Sequence, residues 1–154
     1  ADRDALRAGL ADGTIDALVS DHNPVADDMK NLPFGEAEPG ATGLELLLSL
    51  ALRWGRDHGV PLPATLARVT HAPVRVLGDA LGSLASSAGR LVEGGVADVC
   101  VFDPEAEWMV TPAALASQGK HTPFSFASTG MALPGRVRAT LVAGTVAFEA
   151  RPAG

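Results

Sequence analysis

The spacing of apolar and polar residues divides the chain into helical, extended and irregular stretches. Residues 1–12, "ADRDALRAGLAD", place Leu6 and Leu10 four apart among charges, which predicts a surface amphipathic helix stopped by Gly13. "TIDALVSD" follows, a short run of Ile, Leu and Val that turns polar at Ser20 and Asp21 and predicts a strand. Helix, tight turn and apolar strand form an α/β unit of the kind that contributes to parallel sheets. From His22 to Ala41 about twenty residues show no periodicity, and loops of that length in compact domains are often functional. Thr42 followed by Glu45 fits a capping box, so a helix is expected to start there. Leucines at 44, 46, 47, 48, 50 and 52 make that helix apolar almost all round, hence largely buried, until Gly59 and Pro61 end it.

Pro63 opens a further helix to about Thr70, and "HAPVRVLG" gives another turn of helix closed by Gly78. Residues 79–89, dominated by Gly, Ser and Ala, form a connection. Beyond it the pattern changes to strands. "GRLVEGGVADVCVFDP" is expected to run strand, Gly-Gly turn, strand, ending at Asp103-Pro104, with "EWMV" as a separate strand and Thr111-Pro112 opening a short helix. "RVRATLVAGTVAFE" alternates and then turns at Ala143-Gly144, which predicts a hairpin. The chain thus divides into an α/β part (1–78), a connection (79–89) and a mostly β part (90–154). Neither part closes by itself, since a single parallel strand has no sheet to join.

Composition narrows the class. The 154 residues are 47% hydrophobic and 19% charged, as in globular chains that bury a core. A net charge of −6 argues against a nucleic-acid or membrane-surface partner, because anionic surfaces repel one another. The single cysteine, Cys100, excludes an intrachain disulfide, suits a reducing cytoplasm and is expected to be a buried strand residue. No stretch reaches the roughly 20 apolar residues of a membrane span. A start without Met, directly into a helix-like segment, leads us to expect a fragment or a processed chain.

Asp21 ends an apolar strand just before a long loop, the edge of α/β folds from which catalytic groups project. A carboxylate there can hold a metal or move a proton. Asp also opens turns, so position alone leaves both readings open. The neighbouring His22 is expected to point the other way and to pack rather than ligate. The histidines at 22, 58, 71 and 121 form no H-x-H or H-E-x-x-H pattern: His58 and His71 fall at helix ends and His121 in a loop. "PGATG" either offers backbone N–H groups to an anion or is plain turn chemistry. Asp27-Asp28, Glu36, Glu38 and Lys120 are expected to be solvated loop charges. There is no phosphate-binding loop, dinucleotide fingerprint or nucleophile elbow.

At "SDHNPVADDMKNLPFGEAEPGATGLELLL" the sequence resembles the dihydroorotases of the cyclic amidohydrolase superfamily. Their pattern there is Asp-His-Ala-Pro-His, an acidic loop, then Pro-Gly-x-x-Gly-x-Glu. "GRLVEGGVADVCVFDPEAEWMV", "KHTPF" and "GRVRATLVAGTVAFE" resemble the family's C-terminal elements, so the resemblance covers essentially the whole chain. It implies the last part of a TIM-like (β/α)8 barrel followed by strands of a small β-sandwich. It further implies a cytoplasmic zinc hydrolase of pyrimidine biosynthesis, with one or two ions, that converts dihydroorotate to carbamoyl aspartate. Asp21 would be the catalytic, metal-contacting carboxylate, and Pro39 and Gly40 would meet substrate. The other metal ligands would lie upstream of Ala1, so the chain alone is expected to be inactive.

Val25 occupies a position where the family uses a histidine toward the substrate carboxylate. Losing such a hydrogen bond costs on the order of 1.5–3 kcal/mol, and Asn23 in place of alanine offers partial compensation. The family includes non-catalytic homologues that partner aspartate transcarbamoylase, and "DHNPV" resembles that branch equally. A homodimer is compatible with either reading, and another cyclic amidohydrolase such as a hydantoinase is the remaining alternative.

Overall fold

A computed structural model describes residues 1–125 and 130–151; residues 126–129 and 152–154 of the expected 90–154 part lie outside the description. Helix α1 (Asp2–Asp12) buries Leu10 and ends at Gly13, whose φ of 89° is the left-handed cap that glycine adopts without steric cost. Leu6 is exposed. The expected strand over 14–21 is not one. Those residues bend at Thr14 and Ile15 and continue without a ladder, held by bonds from Ile15 N to Gly9 O and from Leu18 N to Arg68 O. A strand needs a paired neighbour, and the three-stranded sheet among the described residues lies elsewhere.

The loop after Asp21 contains one short helix, α2 (Asp27–Lys30). A 3-10 turn over Leu44–Leu46 then feeds α3 (Leu47–Asp57). The leucine-rich run is one-sided rather than buried all round: Leu46, Ala51, Leu52 and Trp54 are inside, while Leu44 is exposed. Helix α4 (Leu62–Ala67) begins with proline in its first turn and crosses α3 where Gly55 meets Thr65. Helix α5 (His71–Leu77) stops at Gly78, and the expected connection coils into 3-10 turns over Gly78–Ser86.

Strands β1 (Val99–Val110), β2 (Met131–Val142) and β3 (Thr145–Glu149) form an antiparallel meander. The arm expected over 90–94 is not a strand, although Gly94-Gly95 does turn, with Gly95 N bonding Val92 O. β1 does not end at Asp103-Pro104; it bulges there and continues through the "EWMV" segment. The register moves from Asp103 opposite Arg136 to Glu107 opposite Pro134, and a bulge is where a strand tolerates proline. Asp103 Oδ1 accepts the N–H groups of Glu105 (3.0 Å) and Ala106 (3.1 Å), satisfying the bulge. Those two bonds hold its carboxyl below the usual carboxylate value, aided by Arg138. Arg56 of α3 ties the bulge down through Pro104 O and Glu105.

The predicted hairpin is present. Ala143 (φ 48°) and Gly144 (φ 79°) join β2 to β3 in two residues of positive φ, as a type I′ turn requires. Thr111-Pro112 makes a single turn, not a helix: the Ala114 and Leu115 N–H groups both reach Thr111 O. Cys100 lies in β1 as expected, but its strand face is exposed; local desolvation still raises its thiol.

The helical and β parts share a core of Leu46, Val110, Leu115 and Leu133, backed by Leu50, Trp108 and Phe124. Trp108 Nε1 donates to Ser49 Oγ at 3.0 Å, and Ser49 Oγ donates to Gly135 O at 3.4 Å, so polar atoms at this junction are paired.

Candidate active site

Asp21 sits where the extended segment turns over into the loop. Its φ of 44° is in the left-handed region, which Asp tolerates better than most residues and which recurs at functional sites. Its side chain is exposed. His22 packs against the start of the next helical turn and does a definite job. Its Nδ1 accepts the N–H of Gly43 at 3.1 Å and of Leu44 at 3.2 Å, capping the turn that starts α3. An accepting Nδ1 places the neutral ring's proton on Nε2, so His22 is a structural cap rather than a metal ligand.

The same bonds bear on the turn at "PGATG". The Gly43 and Leu44 N–H groups are taken by His22, and the Thr42 N–H by His121 O at 2.7 Å. Those donors are spent inside the protein.

Gly40 and Val25 are pressed together. Gly40 has φ 128°, and a Cβ there would lie 2.5 Å from Asn23 O and 3.0 Å from Val25 Cγ2, so only glycine fits. Asn23 N closes the loop on Ala41 O at 3.0 Å. Val25 is buried, whereas Pro39 is exposed at the loop surface. The structure thus brings Asn23, Val25, Gly40 and Ala41 into one knot immediately after Asp21.

The capping box expected from Thr42 and Glu45 does not form, because both side chains reach a segment about seventy residues away. Thr42 Oγ1 donates to Gly119 O at 2.5 Å. Glu45 accepts from Ala116 N at 2.8 Å and from Ser117 N at 2.9 Å. Lys120, expected in solvent, is half-buried and donates to Leu115 O. His121 Nε2 lies 3.3 Å from Asp27, joining the acidic loop to the same segment. Glu36 and Glu38 stay exposed as expected. Sequence reasoning missed the roles of Thr42, Glu45 and Gly119; the one available signal was that "GATGLE" and "GKHTPF" both carry small and polar residues at turns.

A cleft of about 510 Å³ lies between the loop and this segment, walled by Pro24, Val25, Ala26, Asp27, Gln118 and Gly119. A larger, mainly apolar cavity of about 720 Å³ lies against the outer face of α3, among Leu44, Leu48, Leu66, Val96 and Phe102, and includes none of the predicted site residues. Among the described residues no group of three or more His, Cys, Asp or Glu side chains converges to hold a metal. Asp21 by itself does not fit a zinc site, which takes three or four protein ligands.

No protein-family model matches the chain. It is 41% identical over 149 residues to a dihydroorotase-like protein of Pseudomonas aeruginosa, covering 97% of this chain and 32% of that protein. It is 38% identical over 150 residues to a dihydroorotase of Citrifermentans bemidjiense, covering 97% and 33%. Over this length the chain is homologous to dihydroorotases and dihydroorotase-like proteins. This homologue spans about a third of the length of the curated relatives it matches. Its fold is similar to part of the L-hydantoinase of Arthrobacter aurescens, with a TM-score of 0.77, 29% identity, and coverage of 94% of this chain and 31% of that one. A D-hydantoinase from Thermus sp. superposes with a TM-score of 0.79 at 23% identity, over 95% and 31%. The chain therefore carries a mixed α/β portion of the fold seen in these hydantoinases.

Proposed function

We propose that this chain is the C-terminal portion of a dihydroorotase, a cytoplasmic enzyme that reversibly hydrolyses the cyclic amide of dihydroorotate to carbamoyl aspartate. In this reading residues 1–78 belong to the end of a (β/α)8 barrel, 79–89 connect, and 90–154 belong to a small β-sandwich. The observation that carries it is Asp21: an exposed carboxylate in left-handed backbone, at the mouth of a loop that folds back onto Gly40. Such a carboxylate can take a proton from an attacking water and return it to the departing amide nitrogen. Pro39 and Gly40 would form the substrate side of the loop. Zinc would require ligands from outside these residues.

The second reading, a non-catalytic dihydroorotase-like partner of aspartate transcarbamoylase, is favoured by Val25. Its side chain is buried and apolar where a hydrogen-bonding histidine would serve an active enzyme. The 41% identity to a dihydroorotase-like protein supports it too. The two are separated with a full-length protein containing this chain. If it is a dihydroorotase, it converts dihydroorotate to carbamoyl aspartate, and Asp21→Ala lowers kcat by about 10²–10⁴-fold. A near-normal kcat in Asp21→Ala rejects Asp21 as the proton carrier. A wild-type protein without turnover that binds the transcarbamoylase favours the second reading.

A further inference from the structure

Glu45 spends both of its carboxylate oxygens on two consecutive backbone N–H groups, those of Ala116 and Ser117, at 2.8 and 2.9 Å. Two charge-assisted bonds to adjacent amides fix the direction of a peptide segment, not merely its distance. Three residues back, Thr42 is buried and grips the same segment twice, through Oγ1 to Gly119 O and through its N–H to His121 O. The gripped segment presses on the loop from the other side. A Cβ on Gly119 would lie 2.8 Å from Pro24 Cβ and 3.2 Å from Val25 O, and Val25 in turn meets Gly40. Asp27 closes the circuit on His121.

We propose that Glu45 is a positioning residue for the Asp21–Gly40 loop, acting through residues 116–121 as a fixed wall. This rests on reading that loop as the substrate side of the site. The carboxylate is required because it offers an acceptor to each N–H. An amide keeps one acceptor and presents an N–H₂ group to the other donor, so Glu45→Gln preserves volume and breaks half of the grip. The effect travels by contact, from the 116–117 peptide to Gly119, to Pro24 and Val25, and so to Gly40 and the bond between Asn23 N and Ala41 O. Glu45 touches no substrate in this scheme; it sets where the loop stands.

The test uses a full-length protein containing this chain, with Glu45→Gln, Glu45→Ala and, as a control on the same loop, Glu36→Gln. Amide hydrogen exchange is followed at Ser117, at Asn23 and along β1–β2, together with KM and kcat for dihydroorotate. In Glu45→Gln we expect exchange about tenfold faster at Ser117 and Asn23 with β1–β2 amides unchanged, as loss of one hydrogen bond to a charged group implies. KM should rise about tenfold with kcat nearly unchanged, the signature of lost binding geometry rather than lost chemistry. Glu36→Gln should match wild type in every reading. Faster exchange at Ser117 alone, with Asn23 and KM as in wild type, overturns the proposal, because the grip would then be local. Uniformly faster exchange through β1–β2 in Glu45→Gln also overturns it, since Glu45 would then support the whole fold. If the wild-type protein turns over no dihydroorotate, the catalytic reading fails separately, and exchange at Asn23 decides the positioning role.

Discussion

Replacing Gly40 with alanine is the sharpest probe of the loop. The substitution adds one methyl group at φ 128°, a conformation that L side chains rarely adopt, for which about 1–3 kcal/mol is a typical strain. The methyl also arrives 2.5 Å from Asn23 O, 2.8 Å from Asn23 Nδ2 and 3.0 Å from Val25 Cγ2. Two of those neighbours cannot yield cheaply: Asn23 O is backbone, and Val25 is buried. Overpacking of this kind costs about 1–3 kcal/mol, so Gly40→Ala is expected to lose roughly 2–6 kcal/mol in all. Gly35→Ala, on the same loop, is the matched control. It has no neighbour within 4 Å, and by restricting the unfolded chain it should be neutral or stabilising by up to about 1 kcal/mol. Urea unfolding followed by far-UV circular dichroism reads the difference. With a slope of about 2 kcal/mol per molar, the Gly40→Ala midpoint should fall by roughly 1–3 M relative to Gly35→Ala. Midpoints that differ by less than about 0.3 M, at equal slopes, would refute the close-packed knot of Asn23, Val25 and Gly40.

Two further outcomes test the frame around the site. Ser49→Ala strands Trp108 Nε1 without its acceptor in a half-buried position and should cost about 1–3 kcal/mol by the same unfolding assay, with a neutral result rejecting that bond. Asp103 is held below the ordinary carboxylate value of about 3.9 by the N–H groups of Glu105 and Ala106, so its contribution is complete above that value and lost as pH falls through its lower folded value. A carbon-13 titration should give Asp103 a midpoint below 3.9, and a midpoint at or above it would reject the bulge bonds.

Much of the architecture was legible in the sequence because it rests on local chemistry. The Ala143-Gly144 hairpin, the glycine stop after α1, the proline start of α4 and the closure of α5 at Gly78 each depend on residues adjacent in the chain. The errors arise where distant partners outbid local ones. Thr42 and Glu45 have the spacing of a capping box, yet His22 supplies the cap and frees both side chains for the 116–119 segment. Asp103-Pro104 resembles a strand terminator, but the Asp103 carboxylate satisfies the bulge and the ladder resumes at Glu107. The apolar run 14–20 was expected to be a strand, but a strand is a property of two segments, and no pairing partner for it lies among the described residues. Asp21 stood out from its place at the end of that run; the crowding of Gly40 against Asn23 and Val25 did not, because positive φ and close approach leave no mark beyond the glycine itself.

The bonds from Thr42 to Gly119 and from Glu45 to Ala116 span 77 and 71 positions of sequence. Contacts that remote form late, after the entropy of closing a long loop has been overcome. During synthesis the Asp21 loop therefore has no wall to close against until residue 121 has left the ribosome. A nascent chain stalled earlier should hold an open, protease-sensitive loop between residues 22 and 41, and maturation of the site should coincide with emergence of the β region rather than of the helices that carry it.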